Sequence, residues 1–320
     1  MGRSPCSQFA FAFASLAVIG CATGSRDEDD SASTTDVTTT TGGGAASAGP
    51  SSTTGNPSGT GSDSATTTSG SGTGGGGGAG GSGSECSPAE GGIFVISKTN
   101  DLHRFDPTSA KLKLVGPLMC QVSAGVIPVS IAVDRQELAW VLYSDRRLYK
   151  VSTASAACEK TAFVPSQHGF STFSLAFVAN APDFSSETLT IANNLGTGSI
   201  DMGTLVVTPH GTFGTSQTLQ LTGTGKGELY GFFTTKPAYL SPIDKLTAAI
   251  GAHLNIDAIK TTGPSAFAQW GGSFWFFTAP IGTSSRIDRY DPIAKTISTI
   301  NASVGFEIVA AGVSTCAPTK

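Results

Sequence analysis

The sequence predicts an all-β domain, a β-propeller of about five four-stranded blades, within residues 86–320. From residue 92 onward, apolar and polar residues alternate with a period of two, which is typical of half-buried strands. Gly, Pro, Asn or Ser separates the short apolar runs, and no apolar stripe of helical period persists beyond two turns. Similar strand-and-turn units recur at intervals of 46, 51, 41 and 47 residues. A period in the forties is typical of propeller blades.

The recurring unit is a strand that ends in a turn-forming residue. Its two most similar copies are Leu-His-Arg-Phe-Asp-Pro at residues 102–107 and Ile-Asp-Arg-Tyr-Asp-Pro at residues 287–292. Three further copies fit the same frame, the last more loosely: residues 148–152, 239–244 and 199–203. The Asp or Ser at these strand ends bonds the backbone of the following turn, so these side chains are expected to be structural.

Two alternatives to five blades stay open. The long segment 179–225 leaves room for an extra hairpin, which would make six blades. A β-sandwich has a similar strand content, but it gives no reason for a repeat in the forties.

The C-terminal strand is expected to close the ring. A second recurring element precedes the repeated strand and predicts the inner strand of each blade, at residues 129–133, 173–177, 227–231 and 266–270. Residues 306–312 fit this frame but have no blade after them, whereas the first unit begins at Gly92 without an inner strand. Pairing the last strand with the first blade would hide two edges that are otherwise exposed.

Four cysteines belong to the domain: Cys86, Cys120, Cys158 and Cys316. An even number in an exported protein favours two disulfides over a zinc site, and no CxxC or HxxxH spacing supports zinc. Three pairings are conceivable. Because Cys86 and Cys316 flank the closing seam, we expect them to pair, with a stabilisation of about 4–5 kcal/mol. Cys120 and Cys158 would then join neighbouring blades.

The N-terminus is expected to be a lipoprotein signal peptide, residues 1–20. Its apolar run, residues 9–20, is too short to span a bilayer and suits a signal sequence. The run ends Val-Ile-Gly-Cys at Cys21, which resembles the bacterial lipobox, so the resemblance implies that Cys21 is lipidated. The alternative is an ordinary signal with a chance cysteine. Ala22 follows, not the Asp that holds many lipoproteins at the inner membrane, which favours the outer membrane, with the domain facing the periplasm or the cell surface.

Residues 22–85 are expected to form a disordered tether. Gly, Ser and Thr account for 45 of these 64 residues, and no aromatic residue occurs among them. Such a segment cannot bury enough apolar surface to offset its ordering entropy. The tether carries a net charge of −6 and leaves the domain near +1. The domain therefore lacks the basic surface of a nucleic-acid-binding protein.

The sequence contains no established catalytic motif, and we assign no catalytic residue. GxSxG, HExxH and phosphate-loop patterns are absent, and none of the histidines, His103, His168, His210 and His253, has a partner at ligand spacing. The aligned polar positions of the expected inner strands are Ser130, Ser174, Glu228, Gln269 and Glu307. Glu228 and Glu307 could hold Ca²⁺ or another divalent cation near the axis, or act as acid and base. Otherwise they are hydrogen-bonded carboxylates at strand ends. No other cofactor is expected.

Several segments resemble a set of predicted lipoproteins of myxobacteria and their relatives. They are the lipobox, the long Ser/Thr/Gly tether and residues 130–134, 156–158, 226–233, 269–275 and 311–318. The short repeats look more weakly like those of gluconolactonase-like and NHL-type propellers. The resemblance to the myxobacterial set implies the location and the fold, and it implies no activity.

The favoured hypothesis is a lipid-anchored envelope protein whose propeller is a binding module for a protein or a glycan. The alternative is a metal-dependent propeller hydrolase or lactonase with its site at the ring axis. A structural component of the outer envelope is a third hypothesis. Propellers host both binding proteins and enzymes, so fold class alone does not decide among them.

Overall fold

A computed structural model describes residue 86, residues 91–182 and residues 185–320. The expected signal peptide, Cys21 and the expected tether lie outside the described residues. The fold is all-β, with five four-stranded antiparallel sheets arranged as the blades of a propeller. No helix in the described ranges has the length and apolar character needed to cross a membrane.

The strands follow one another blade by blade. The first blade contains β1 (Ile93–Ser97), β2 (Asp101–Asp106), β3 (Lys111–Pro117) and one strand from the C-terminus. The second contains β4 (Pro128–Val133), β5 (Leu138–Tyr143), β6 (Leu148–Ser152) and β7 (Cys158–Lys160). After a 3-10 turn at Gln167–Gly169, the third contains β8 (Ser174–Ala179), β9 (Glu187–Ala192), β10 (Gly196–Ile200) and β11 (Val207–Thr212). The fourth contains β12 (Leu219–Gly223), β13 (Leu229–Phe233), β14 (Tyr239–Ile243) and β15 (Leu254–Asn255). The fifth contains β16 (Ser265–Trp270), β17 (Ser273–Thr278), β18 (Arg286–Asp291) and β19 (Thr296–Asn301).

The last strand, β20 (Ile308–Gly312), is the inner strand of the first blade. It pairs antiparallel with β1, with Phe94 opposite Gly312 and Ile96 opposite Ala310. Closure of the ring by the C-terminal strand is therefore confirmed.

The core lies between the blades. Phe105 of the first blade packs edge-on against Trp275 and Phe277 of the fifth, with ring centroids 5.3 and 5.6 Å apart. Trp140 of the second blade and Phe177 of the third share another buried cluster. Middle strands such as β17 are buried on both faces, because each blade is covered by a neighbour on either side. The face-to-face burial of large aromatic side chains is the main apolar stabilisation of the ring.

The inner strands β4, β8, β12, β16 and β20 lie side by side around the axis. Ser174 faces Leu221 and Phe177 faces Gly223, so β8 and β12 run parallel. The approach is close, because a β-carbon on Gly223 would overlap the carbonyl oxygen of Phe177. Only glycine fits this position.

Hydroxyl groups satisfy inner-strand backbone amides that have no strand partner. Ser130 Oγ accepts a hydrogen bond from the Leu175 N–H (2.9 Å), and Ser174 Oγ accepts one from the Leu221 N–H (2.8 Å). Thr222 Oγ1 accepts one from the Gln269 N–H (3.1 Å). Because an unpaired buried backbone donor is costly, these side chains contribute to holding neighbouring blades together.

The four domain cysteines form two disulfides. Cys86 bonds to Cys316, 230 residues apart, and Cys120 bonds to Cys158, 38 residues apart. These are the pairs expected from the cysteine positions. Cys158 begins β7, as expected, but Cys120 lies in the loop after β3 and not within that blade's final strand.

The expectation for the fourth inner strand was wrong. Residues 227–231 begin in the turn before β13, which is the second strand of its blade, and the inner strand is β12. Gly227, with φ of 80°, lies in the tight turn that separates the two strands. The segment 179–225 contains β9 to β12 and no additional blade, so the number of blades is five.

Candidate functional site

One mouth of the ring is covered by residues 313–320, which follow β20. The inner strands terminate at this mouth, and we call it the capped mouth. The Gly271 N–H of the fifth blade donates to the Pro318 carbonyl (2.7 Å), and Gly225 of the fourth blade lies against the carbonyl of Thr315. Thr315 itself is only 4% exposed. The segment thus contacts blades on several sides of the axis.

A half-buried polar cluster fixes Thr315 to the second and third blades. Thr315 Oγ1 donates to Glu187 Oε2 (2.6 Å), and the Arg135 N–H donates to Glu187 Oε1 (2.8 Å). Arg135 also donates from Nη1 to Thr315 Oγ1 (3.3 Å) and from Nη2 to Cys86 Sγ (3.3 Å). Burial raises the pKa of Glu187 to about 7, against the lowering effect of the hydrogen bonds from Thr315 and Arg135. Glu187 and Arg135 thus hold the C-terminal segment through Thr315.

Glu228 and Glu307, the expected axial pair, are not brought together. Glu228 lies after an inner strand, at the capped end, whereas Glu307 immediately precedes β20, at the opposite end. The parallel inner strands separate these ends by about 16 Å. Glu307 Oε2 pairs with Lys98 Nζ (3.0 Å), and Glu228 Oε2 accepts a hydrogen bond from Thr224 Oγ1 (3.3 Å). The pair is therefore not an axial ligand set, because Glu228 was assigned to the wrong strand.

The other aligned polar positions have structural partners. Ser130 and Ser174 lie on inner strands, as expected, and bond the next inner strand. Gln269 lies on β16, where its backbone amide is bonded to Thr222. Across the described ranges, no group of three or more His, Cys, Asp or Glu side chains is placed to hold a metal ion.

The histidines lie apart from one another. His103 stacks on Phe306 and His253 on Tyr239, with ring centroids 4.5 and 4.0 Å apart. His210 Nε2 lies 3.0 Å from Ser199 Oγ, and His168 lies in the 3-10 turn. Burial lowers the pKa of His103, which favours the neutral ring in its stacked position.

The opposite end of the axis carries a cavity of about 310 Å³ and is called the cavity mouth. The cavity lies where inner strands of the second, third and fourth blades begin, at Val129, Ser174 and Leu219. Phe173 and Leu219 form buried apolar walls. The polar lining consists of Thr172, Ser174, Asn193, Asn194, Gln217, Thr218 and Gln220.

Some of these polar side chains position the others. Asn193 Oδ1 accepts the Leu195 and Gly196 N–H groups (2.8 and 3.0 Å), which shapes the turn after β9. Gln217 Nε2 donates to Thr215 Oγ1 (2.9 Å). Ser174 Oγ donates to Gln220 Oε1 (3.3 Å), so the Gln220 amide nitrogen points away from Ser174.

Other polar groups of the lining are free to bind a ligand. The Gln220 amide nitrogen, Asn194 Oδ1 and the hydroxyls of Thr172 and Thr218 make no hydrogen bond to another described residue. None of the eleven lining residues is ionisable. The cavity can bind an uncharged polar molecule, but the side chains of its lining supply no general acid or base.

Sequence reasoning missed this cavity. Its polar residues come from three short segments, two of them in the stretch 179–225, where the sequence pattern predicts no inner strand. The adjacent amides Asn193 and Asn194, two residues before Gly196, were the available signal, because clustered Asn and Gly residues mark a turn between strands.

Comparison with known proteins identifies no family. No family model matches the chain, and a comparison with curated proteins finds no match. Among solved structures, a protein of unknown function from Bacteroides caccae is similar with a TM-score of 0.42 and 13% identity, over 69% of this chain and 85% of that one. TolB from Acinetobacter baumannii is similar with a TM-score of 0.40 and 13% identity, over 66% of this chain and 53% of TolB. The chain thus spans about half the length of TolB, and similarity at this level says nothing of function.

Proposed function

We propose that this protein is a lipid-anchored envelope protein whose propeller binds a protein or glycan at the cavity mouth. The β-propeller fold supports a binding or interaction module in general terms. The observation that carries the proposal is the difference between the two mouths. One is covered by residues 313–320, beside which a cavity of about 330 Å³ includes the charged residues Arg135 and Glu137, and the other holds a cavity whose lining is uncharged and includes unpaired polar groups.

The position of Cys86 supports display of the cavity mouth. Its disulfide to Cys316 places it at the capped mouth, so the chain that precedes Cys86 joins the domain at that end. The two disulfides also fit an exported protein, since disulfides persist in oxidising compartments.

Anchoring through Cys21 is tested by replacing this residue. We expect Cys21→Ala to abolish incorporation of labelled palmitate and to move the protein from the membrane fraction to the soluble fraction, because stable anchoring requires the acyl chains. The matched control is Cys6→Ala, within the expected signal peptide, which should behave as the wild type. A Cys21→Ala protein that keeps both the label and the membrane association would refute the anchor.

The binding surface is tested by photocrosslinking in living cells. A photoreactive phenylalanine derivative at Thr172, on the rim of the cavity, should form a defined adduct with an envelope component. As a control, the same photoreactive derivative is placed at Lys160, on the outermost strand β7, where it should form no adduct. Adducts of equal yield from both positions, or none from Thr172, would contradict the proposed surface.

A further inference from the structure

We infer that the cavity mouth binds a neutral carbohydrate, about one or two sugar rings in size. The inference rests on the proposed function and names the ligand class of the same site. It is carried by the charge, the hydrogen-bonding groups and the size of the cavity.

The lining excludes charged ligands. None of the cavity residues is Asp, Glu, Lys, Arg or His. An acidic sugar, a phosphate or a charged peptide side chain would lose its hydration in the cavity and gain no counter-charge, which is costly. An uncharged molecule avoids this penalty.

The free polar groups match sugar hydroxyls. The Gln220 amide nitrogen offers two donors and Asn194 Oδ1 is an acceptor, while the hydroxyls of Thr172 and Thr218 can both donate and accept. Each hydroxyl of a sugar is likewise both a donor and an acceptor. Ser174 orients the Gln220 amide, so its donors are positioned before a ligand arrives.

The shape of the site favours a sugar over an extended peptide. A peptide that added a strand would need unpaired backbone amides at the sheet edge. The Leu175 and Leu221 amides beside the cavity are already bonded to Ser130 and Ser174. The volume of about 310 Å³ lies at the lower end of small-molecule sites and suits a compact ligand. Phe173 and Leu219 provide apolar walls for the C–H faces of a sugar ring.

The first test presents the full-length protein to immobilised neutral monosaccharides and disaccharides, with glucuronate-containing and sialylated glycans on the same surface. We expect binding to neutral glycans only. Calorimetry with the best neutral sugar should give a dissociation constant that changes less than twofold between 50 and 500 mM NaCl, because no charge pair is screened. Preference for the acidic glycans, or a strong salt dependence, would overturn the inference.

The second test changes a single group of the cavity. Gln220→Leu keeps the approximate size of the side chain but removes the free amide donors and the oxygen that accepts from Ser174. We expect at least a tenfold loss of affinity, since a sugar hydroxyl oxygen at this position would lose its donor. Gln121→Leu makes the same change at an exposed residue outside the cavity and should leave affinity within twofold. Equal affinities of the two variants, each with wild-type thermal stability, would place the sugar elsewhere.

The Thr172 adduct separates this inference from the proposed function. A carbohydrate adduct supports both. A protein adduct with no neutral glycan bound overturns the carbohydrate inference and leaves the binding surface in place. The absence of any adduct from Thr172 overturns both.

Discussion

Gly223→Ala is expected to destabilise the propeller by about 3 kcal/mol or more. The added β-carbon would overlap the Phe177 carbonyl oxygen and lie 2.7 Å from a methyl group of Val178. These atoms belong to β8, so the inner strands of the third and fourth blades would have to move apart. The change is measured as the shift of the urea unfolding midpoint with both disulfides intact.

Gly116→Ala is the matched control for this substitution. Gly116 lies in β3, and a β-carbon there would meet its nearest neighbour at 3.5 Å, an ordinary contact. We expect a change within about 0.5 kcal/mol. If the two variants lost equal stability, close packing of the inner strands at Gly223 would not be the cause.

Removing the Cys86–Cys316 disulfide is expected to cost about 4–5 kcal/mol, because its loop spans nearly the whole domain. The Cys86→Ser, Cys316→Ser double variant should also exchange the backbone amides of β20 faster, since the disulfide adjoins the strand that closes the ring. The unfolding midpoint and hydrogen exchange measure the two effects.

The comparison is the Cys120→Ser, Cys158→Ser double variant. Its loop of 38 residues is much shorter, so its loss should be smaller by about 1–2 kcal/mol. Exchange at β20 should stay as in the wild type. Faster exchange at β20 in this variant, but not in the first, would contradict a closing role for Cys86–Cys316.

The architecture could be predicted because it repeats. Each blade buries similar strands between two neighbours, so units such as residues 102–107 and 287–292 keep the same apolar pattern and the same turn. Closure by β20 could be predicted because residues 306–312 resemble an inner strand but have no blade after them, whereas the first blade begins without an inner strand. The cysteine pairs followed from that closure.

The candidate site could not be predicted, because it depends on the position of a single strand. The sequence pattern assigned residues 227–231 to an inner strand, whereas Glu228 lies in the turn before β13, the second strand of its blade. The true inner strand, β12, contributes Leu219 and Gln220 to the cavity, where they meet Asn193 and Asn194 from the turn after β9. Local sequence patterns predict individual strands and turns. Which loop residues of adjacent blades come into contact depends on how the strands align in the closed ring, and local patterns do not show this.

Hydrogen exchange of the full-length protein, with and without the neutral sugar that binds best, tests the binding site most directly. We expect slower exchange in residues 172–175, 193–196 and 217–221, around the cavity mouth, and no change in residues 313–320 at the capped mouth. Slower exchange confined to residues 313–320, or to the outer strands of the blades, would contradict this expectation.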